Sequence, residues 1–366
     1  MRIEQLLLRE LHIPFKTTFR HASAERSEAS SVFVEASSDG LTGYGESCPR
    51  PYVTGETTES ARVFFSEREG SLRGEVTDLD SLRRWTTLHA EAIDANPAAW
   101  CAVELAVLDL MARSAGQTLE SFLSLPALAG PFRYTAVLGD AGEAAFTATA
   151  QGYRRMGFTD FKVKLSGDIE RDRRKLAVLD SFDLPARRVR VDANNLWPDA
   201  DVAVSYLRTL GGSLFAVEEP ILSQRYRELG RVSEALGCPI ILDESAVSVD
   251  QLDLLEGPPD RWIINVRVSK MGGLLRSLAV VSAAQERAIP IIVGAQVGET
   301  SVLTRAALTL AQAAGTSVLA QEGAFGTFLL EHDVCEPSLM FGAGGLLDPR
   351  VYPALEGPGF GLRITR

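Results

Sequence analysis

The stretch FTDFKVKLSGD, residues 158–168, places two lysines, Lys162 and Lys164, two positions apart in a short apolar run. A helical pattern follows over residues 169–179, so the stretch and its helix read as one strand–helix unit. Seven similar runs alternate with helical patterns between residues 134 and 323, namely YTAVLG, RVRVDAN, LFAVEEP, PIILDES, IINVRVSK, PIIVGAQ and SVLAQEG. Eight such units predict an α/β fold with a parallel barrel.

Charged residues recur at the same position in successive strand–helix units. Lys164, Asp192, Glu218, Asp243 and Lys270 follow one another at intervals of 28, 26, 25 and 27 residues, about the length of one strand–helix unit. Each is therefore expected near the carboxyl end of its strand, the end at which barrel enzymes carry their active sites.

The first part of the chain has a different pattern. Residues 1–125 show strand-like alternation, a hairpin signal at SDGLTG (residues 38–43) and then helical periods, which predict an α+β domain. We expect a barrel over residues 126–330 and a glycine-rich tail, residues 331–366, that returns to the first domain. The helices expected across both parts are 57–69, 78–92, 98–114, 141–156, 169–179, 199–210, 224–236, 249–255 and 273–287.

Composition excludes several classes of function. A net charge of −11 makes nucleic acid an unsuitable partner. The sequence has no run of about 20 apolar residues, so no membrane span is expected. Its four cysteines show no CxxC spacing, which argues against a zinc site and a disulfide framework and favours a reduced, cytoplasmic protein.

Three carboxylates end three successive strands: Asp192 in VDANN, Glu218 in VEEP and Asp243 in LDES. Adjacent strands bring them near one point, where their repulsion requires a cation. Oxygen ligands on rigid elements favour Mg²⁺. Acids that merely cap the following helices are the alternative, and three in register argue against it.

The lysines flank the three carboxylates. Residues two apart on a strand face the same side, so Lys162 and Lys164 both point into the barrel mouth, while Lys270 comes from the strand after the carboxylates. A lysine beside a dication suits removal of the proton α to a substrate carboxylate, and a second lysine can act on the opposite face. Lysines that only pair with acids or extend to solvent are the alternative.

Together these motifs resemble the enolase superfamily, muconate-lactonizing-enzyme subgroup, over nearly the whole chain. The resemblance implies a modified (β/α)7β barrel of the TIM type, an N-terminal capping domain and a C-terminal tail that completes it. It also implies one Mg²⁺ per subunit, for which Mn²⁺ can substitute, a small-molecule carboxylate as substrate and a homo-oligomer, a dimer or an octamer.

The same resemblance assigns roles to residues. KVK makes Lys164 an acid/base catalyst, with Lys162 steering the substrate carboxylate and favouring the uncharged amine of Lys164. VSKMGG makes Lys270 the lysine of the opposite face. The metal ligands are Asp192, Glu218 and Asp243, and the residues that support them are Asn194 and Glu244.

Substrate selection in the family belongs to capping loops, here about residues 15–30 and 48–58. Candidate substrate contacts are Arg20, Tyr52, Glu299 and Glu322. Dipeptide epimerases carry Asp-x-Asp on the eighth strand to hold the substrate ammonium, whereas LAQEGAFG offers only Glu322. An N-acylated amino acid, another α-substituted carboxylate or a lactone needs no such pair.

The expected function is racemisation or epimerisation of an N-acylated amino acid or dipeptide-like acid. Cycloisomerisation of the muconate-lactonizing type and dehydration of the o-succinylbenzoate synthase type are the alternatives, since the lysines do not distinguish among them. Two remoter alternatives are a Schiff-base lyase with Lys164 as nucleophile and a non-catalytic binding protein.

Overall fold

The computed structural model describes residues 1–21, 24–184, 189–212 and 214–365, and the side chains of residues 20, 21 and 24 lie outside that description. The strands are β1 (Gln5–His21), β2 (Ala24–Ser38), β3 (Leu41–Ser47), β4 (Phe132–Arg133), β5 (Ala136–Leu138), β6 (Phe161–Lys164), β7 (Val189–Asp192), β8 (Ala216–Glu218), β9 (Ile240–Leu242), β10 (Trp262–Val266), β11 (Ile291–Val293), β12 (Val318–Gln321) and β13 (Leu346–Leu347). The α-helices are α1 (Thr58–Glu75), α2 (Leu79–Leu88), α3 (Ala90–Asp94), α4 (Pro97–Ser114), α5 (Leu119–Phe122), α6 (Glu143–Arg155), α7 (Ile169–Asp180), α8 (Ala200–Leu210), α9 (Tyr226–Leu236), α10 (Val268–Met271), α11 (Leu274–Glu286) and α12 (Ser301–Ala314).

The N-terminal sheet is antiparallel, in the order β1–β2–β3. The hairpin predicted at SDGLTG joins β2 to β3, where Ser38 pairs with Leu41. Its two turn residues, Asp39 and Gly40, have φ angles of 51° and 76°. Positive φ at both positions is typical of the tight two-residue hairpin turn.

Helix α4 packs directly on this sheet, and almost all of its side chains are buried. A Cβ atom on Gly43 would lie 2.3 Å from the carbonyl oxygen of Ala106, and one on Gly45 would lie 2.0 Å from that of Ala102. Glycine is therefore required at both positions of β3, because the backbone of α4 occupies the space of a side chain.

The second part of the chain is the predicted barrel. Eight parallel strands follow one another in the order β5 to β12, and helices connect them. The backbone N–H of Thr135 donates to the carbonyl of Gln321 at 2.7 Å, so the segment before β5 meets β12 and joins the two ends of the sheet. The expected eight strands and their order are thereby confirmed.

Two expected helices differ from the prediction. The α-helix expected at 249–255 is a 3₁₀ helix, Val249–Leu254, and the Gly-Pro-Pro sequence at 257–259 prevents a helix from continuing beyond it. The helix expected at 78–92 is two helices, α2 and α3, which meet at His89 with ψ 20°. The further 3₁₀ helices are Pro259–Arg261, Gly315–Ser317, Gly326–Phe328, Ala343–Gly345, Pro349–Val351 and Pro353–Glu356.

The C-terminal segment contacts the helices of the N-terminal part. The backbone N–H of Phe360 donates to the Asp109 carboxylate at 2.6 Å, and that of Leu119 donates to the carbonyl of Gly359 at 2.9 Å. Contacts of this kind are those of a tail that returns to the cap, while the domain limits remain predictions. Among the described residues, no helix combines the length and apolar character needed to cross a bilayer.

Two buried carboxylates fasten the N-terminal part to the barrel. Glu46 at the end of β3 accepts hydrogen bonds from the backbone N–H and hydroxyl of Thr300, at 2.9 and 2.6 Å, just before α12. Glu104 of α4 accepts from the backbone N–H groups of Leu274 and Leu275 at the start of α11. Each carboxylate satisfies orphan N–H groups at the start of a barrel helix, at the barrel end that carries the candidate site.

Candidate active site

Alternate residues of each barrel strand point to the interior. A buried apolar layer lies there, formed by Ala216, Ile241, Ile263 and Ile292. Glu218 and Asp243 come two residues after members of this layer, and are therefore the next inward-facing residues toward the carboxyl ends of the strands.

The strand register places Lys164, Asp192 and Glu218 side by side on three neighbouring strands. Lys164 pairs with Asp192, and Asp192 pairs with Glu218. Glu218 in turn pairs with Ile241, two residues before Asp243. The three carboxylates are buried, and the register explains why the spacing in the sequence predicted their meeting.

The Lys162 side chain lies deeper in the barrel than that of Lys164 and forms ion pairs with several acids. Its Nζ atom donates to Glu218 at 2.9 Å and to Glu322 at 2.6 Å and lies 3.6 Å from Asp192. Burial alone would lower the pKa of Lys162, but Glu218, Glu322 and Asp192 outweigh burial and raise it. Lys162 is therefore a fixed positive charge beneath the barrel mouth.

Lys164 stands above it, nearer the opening. Its Nζ atom donates to Asp192 at 2.5 Å and to the side-chain oxygen of Asn194 at 2.9 Å. Asn194 has a φ of 47°, and its backbone N–H donates to Asp192 at 3.0 Å. The predicted supporting residue Asn194 thus holds both the lysine and the carboxylate in place.

The pKa values of the three carboxylates shift in different directions. Burial raises the pKa of Asp192, but Lys164 and Lys162 outweigh it and hold the pKa below its usual value. Arg267 and Lys270 likewise outweigh burial and lower the pKa of Asp243. Burial, reinforced by Asp192, raises the pKa of Glu218 to about 8, so the site is short of positive charge at its centre.

Lys270 occupies a different place from the other two lysines. It lies in α10 and is fully buried. Its Nζ atom contacts the backbone carbonyls of Asp243 at 2.6 Å, Asn265 at 2.8 Å and Ala246 at 3.2 Å, and the Asp243 carboxylate at 2.8 Å. The structure thus places Lys270 beneath the loop that carries Asp243, with all of its donors engaged.

A second cation on this side of the site is Arg267, which the sequence prediction missed. Its guanidinium contacts the Asp243 carboxylate, lies 3.7 Å from Glu218 and donates to Gln296 at 3.2 Å. Strand parity could have found it: Asn265 donates to Glu218 at 3.0 Å and so faces inward, and Arg267 is two residues further on.

Glu219 supports the loop that carries Asp243, and Glu244, the predicted supporting residue, lies in that loop next to Asp243. Glu219, the second glutamate of VEEP, accepts from the backbone N–H groups of Asp243 and Ser245, both at 2.7 Å. Burial and Asp243 raise the pKa of Glu244 to about 7. Its Oε2 atom is buried and has no hydrogen-bond partner among the described residues.

A cavity of about 430 Å³ opens beside Glu244. It lies between a capping loop and the barrel and is lined by Tyr52, Val53, Thr54, Asp94, Pro97, Asn195, Ser223, Gln224, Glu244, Val247, Ser248, Lys270 and Arg276. The side-chain oxygen of Asn195 is buried in this region without a hydrogen-bond partner among the described residues. Two buried hydrogen-bond acceptors without a partner among the described residues thus belong to residues that line the cavity.

The structure describes the side chains of three of the four predicted substrate contacts, and one of these lines the cavity. Tyr52 lines the cavity, whereas Glu322 is buried and ion-paired to Lys162 and Arg190 inside the barrel. Glu299 follows β11, and its carboxylate accepts from the backbone N–H of Gln296 at 2.6 Å. The side chain of Arg20 lies outside the described residues.

The carboxylates suit a divalent cation by their chemistry, since Asp192, Glu218 and Asp243 offer only oxygen atoms on rigid strand ends. In this structure ammonium and guanidinium groups bridge them, and no group of three His, Cys, Asp or Glu among the described residues is arranged around a single ion position. Because the three buried acids repel one another, they would accept a metal ion once these ion pairs separate.

Comparisons with known proteins agree with this architecture. A family model described as the mandelate racemase / muconate lactonizing enzyme N-terminal domain matches residues 5–124. A second model, described as enolase C-terminal domain-like, matches residues 145–366. The chain is 30% identical over 367 residues to the L-Lys-D/L-Arg epimerase of Methylococcus capsulatus, covering 99% of each chain.

Solved structures show the same fold. The chain superposes on the N-succinyl Arg/Lys racemase of Bacillus cereus with a TM-score of 0.84 and 21% identity, covering 100% of this chain and 96% of that one. It superposes on the dipeptide epimerase of Cytophaga hutchinsonii, solved with Mg and the dipeptide D-Ala-L-Val, with a TM-score of 0.86 and 22% identity, covering 100% and 97%. Both family models match, and the barrel and the N-terminal domain agree with them. The chain therefore belongs to the mandelate racemase/muconate lactonizing enzyme family of the enolase superfamily, and the relatives named here are isomerases.

Proposed function

We propose that this protein removes the proton α to the carboxylate of an N-acylated amino acid or a dipeptide-like acid, and that return of a proton racemises or epimerises that carbon. Lys164 is the base. The observation that carries the proposal is the placement of its Nζ atom at the barrel mouth, beside Asp192 and above the charge of Lys162.

Asp192, Glu218 and Asp243 would hold Mg²⁺, with Mn²⁺ as a substitute. The ion would draw charge from the substrate carboxylate and so stabilise the dianion that forms when the α-proton leaves. Lys162, whose charge is held by Glu218 and Glu322, adds a second positive charge on the same side.

The cavity beside Glu244 supports a substrate with a distal donor group. Glu244 Oε2 and Asn195 Oδ1 are buried beside it without a hydrogen-bond partner among the described residues, and an ammonium or a guanidinium that reached them would satisfy both. The relatives named above act on Lys- and Arg-containing compounds. Glu322 is tied to Lys162 and Arg190, so it would not hold a free α-ammonium, which favours the N-acylated class.

Cycloisomerisation or syn-dehydration is the second candidate. Arg267 favours it, because a guanidinium on the far side of the mouth can stabilise charge but does not donate a proton, and these reactions need only one base. The predicted homo-oligomer and cytoplasmic location remain proposals, which size-exclusion chromatography with light scattering and cell fractionation would test.

The test is proton exchange in D₂O. Wild-type enzyme with Mg²⁺ is incubated with N-acyl amino acids, dipeptides and muconates, and deuterium at the α-carbon is followed by mass spectrometry and NMR. Lys164→Ala should lower exchange by roughly a hundredfold or more, whereas Arg231→Ala, which removes an exposed cation on α9 that is paired with Asp201, should leave it unchanged.

Exchange that survives both chelation of the metal and Lys164→Ala would overturn the proposal. Metal-free trapping of a keto acid by borohydride would instead identify a Schiff-base lyase. An absence of exchange with every acid, in an enzyme that binds Mg²⁺, would leave a binding protein.

A further inference from the structure

We infer that Arg50 is a positioning residue for substrate selection: its buried guanidinium fastens the two capping loops to the barrel and so holds residues 52–54 in the wall of the cavity. The inference rests on the proposed function and adds to it a residue on which discrimination between substrate side chains depends. The hydrogen bonds of Arg50 go to backbone carbonyls and reach neither the proposed metal ligands nor Lys164, so its effect on the substrate is indirect.

Three segments of the chain meet at the Arg50 side chain. One terminal nitrogen donates to the carbonyls of Ser30 at 2.7 Å and Pro49 at 2.8 Å, and the other donates to the carbonyl of Val297 at 2.9 Å. Ser30 lies in β2 at the end of the first capping loop, Pro49 lies at the start of the second, and Val297 lies in the loop after β11. A planar guanidinium presents its donors in a fixed fork, so it can hold all three segments in one arrangement.

The burial of Arg50 is costly for the fold. The side chain is fully buried, and its Nε atom has no hydrogen-bond partner among the described residues. Burial raises the pKa of nearby Glu299 to about 8, and the charge of Arg50 offsets only part of that rise, so this carboxylate is largely protonated at neutral pH. Because a buried cation compensated mainly by carbonyls is not expected to be more stable than an apolar side chain of similar size, stability alone does not account for an arginine here.

The second capping loop turns around Arg50. The Arg50 carbonyl accepts from the backbone N–H groups of Val53 at 3.0 Å and Thr54 at 2.9 Å, and these two residues line the cavity together with Tyr52. The guanidinium of Arg26, in β2, lies 5.8 Å from the centroid of the Tyr52 ring, which is within the range of a cation–π contact. The cavity-lining turn is thus joined to the first capping loop at two points, and Arg50 provides the fully buried one.

The cavity has a second wall, which belongs to the barrel. Asn195, Ser223 and Glu244 line it from the loops after β7, β8 and β9. The position of residues 52–54 therefore sets the width of the cavity, and a long substrate side chain that enters it contacts both walls, whereas a methyl group is too short to do so. Loss of Arg50 should weaken the binding of long side chains more than that of short ones, and it should leave the proton-transfer step itself in place.

The test compares Arg50→Met with Arg305→Met in the full-length, Mg²⁺-loaded enzyme. Arg305 is also fully buried; it donates to Glu120 at 2.7 Å and to the carbonyl of Phe360 at 2.9 Å, where α12 meets α5 and the C-terminal segment. Both substitutions should lower the midpoint of thermal unfolding, so rates are measured at a temperature at which circular dichroism shows both variants to be folded. The probes are N-succinyl-L-arginine and N-succinyl-L-alanine, and initial rates of α-deuteration in D₂O give kcat and KM.

For Arg50→Met we expect KM for N-succinyl-L-arginine to rise at least about tenfold while kcat changes by less than about threefold. The ratio of kcat/KM for the arginine probe to that for the alanine probe should fall about tenfold, and Arg305→Met should change neither quantity. Arg50→Lys keeps the charge, but one ammonium cannot replace the fork, so KM should stay at least about threefold above wild type. This variant also carries the test if Arg50→Met does not fold.

Amide hydrogen exchange measures the anchoring of the loop without a substrate. Because the N–H groups of Val53 and Thr54 bond to the Arg50 carbonyl, we expect the peptide that covers residues 51–56 to exchange at least about tenfold faster in Arg50→Met than in wild type or Arg305→Met.

Equal exchange of this peptide in all three proteins would overturn the inference. The same holds for a lower kcat with unchanged KM and discrimination, for an equal rise of KM in Arg305→Met, and for a wild-type KM in Arg50→Lys, since the charge alone would then suffice. If wild type acts on neither probe nor any other acid of the library while the peptide responds as expected, the proposed function fails, and Arg50 is an anchor of the loops without an effect on substrate selection.

Discussion

Buried carboxylates lie in two regions of this molecule and behave in opposite ways. At the barrel mouth, lysine and arginine side chains hold the pKa values of Asp192 and Asp243 below their usual range. Where the N-terminal part meets the barrel, Glu46 and Glu104 have only hydrogen-bond donors as partners, and burial raises their pKa values to about 7 and about 8. Equal burial therefore has opposite consequences, and the charge of the partner decides which one follows.

The difference separates two tasks. Asp192 and Asp243, which are paired with cations, keep their negative charge at neutral pH, so they are ready for a metal ion and can organise proton transfer. Carboxylates at helix N-termini satisfy backbone N–H groups and join two parts of the chain. The first group should govern activity and the second stability, and each prediction below tests one side of this division.

The largest effect is expected from Glu218→Gln at the mouth. Glu218 accepts from Lys162 at 2.9 Å and from Asn265 at 3.0 Å, and its loss removes one of the three carboxylates from the proposed metal site. We expect Mg²⁺ affinity, measured by titration calorimetry, to fall at least about tenfold and proton exchange to fall roughly a hundredfold. The matched control is Asp201→Asn, an acid on α8 that is exposed; unchanged Mg²⁺ affinity in Glu218→Gln would contradict the ligand assignment.

A large loss of stability is expected from Gly273→Ala at the interface. Gly273 precedes α11 with a φ of 101°, and a Cβ atom there would lie 2.2 Å from the Glu104 carboxylate. Strained backbone and the displaced carboxylate together should lower the free energy of unfolding by roughly 2–3 kcal/mol, measured by urea denaturation.

Gly70→Ala is the control for that substitution. Gly70 lies inside α1, where nothing stands within 4 Å of an added Cβ atom, so the change should raise stability by up to about 1 kcal/mol through helix propensity. Equal losses in both variants would show that the close approach of Gly273 to Glu104 is not the cause, and the same conclusion would follow if Gly273→Ala were neutral.

Much of the mouth could be predicted from the sequence because strands impose a fixed spacing. The recurrence of Lys164, Asp192, Glu218 and Asp243 at the length of one strand–helix unit indicated both the barrel and the level at which they meet. Lys270 also fits the spacing, but it lies beyond the end of β10 in a helical turn, so strand parity does not give the direction of its side chain, and its catalytic role remains a prediction.

The interface could not be predicted in the same way. Glu46 and Thr300 are 254 positions apart, and no local pattern marks either as a partner of the other. Glu104 looks like one polar residue in an alanine-rich helix until the start of α11 is placed against it. Long-range contacts of this kind depend on how the two parts pack, which periodicity does not encode.

The next prediction concerns how stability depends on pH, and it compares wild type with the variant Glu46→Gln. The folded pKa of Glu46 is about 7 against a usual value of 4.5, so between these values the folded state holds a proton that the unfolded state releases. Its contribution is fully present below pH 4.5 and is lost as the pH rises through 7, an effect of about 3 kcal/mol at most. We expect the stability difference between wild type and Glu46→Gln to fall over this window.

A paired carboxylate provides the opposite control. Glu120 accepts from Arg305 at 2.7 Å, and although burial raises its pKa, Arg305 outweighs burial and the pKa is lowered. Its contribution is present above pH 4.5 and is lost as the pH falls through the folded pKa. The wild-type minus Glu120→Gln difference should therefore change in the acid range with the reverse slope, and parallel curves for the two variants would refute the division by partner.

The smallest effect is expected from Glu56→Gln. Glu56 is buried and accepts from the backbone N–H groups of Ala98 and Ala99 at the start of α4, both at 2.9 Å, so it belongs with Glu46 and Glu104. Glutamine keeps one oxygen for one of these donors and turns its amide toward the other, which should lower the free energy of unfolding by about 1 kcal/mol. Proton exchange by the folded enzyme should be unchanged, since Glu56 touches none of the proton-transferring groups. A loss of exchange at undiminished stability would instead mean that this carboxylate positions the neighbouring loop, whose Tyr52 and Thr54 line the cavity, and that the two tasks are not separate there.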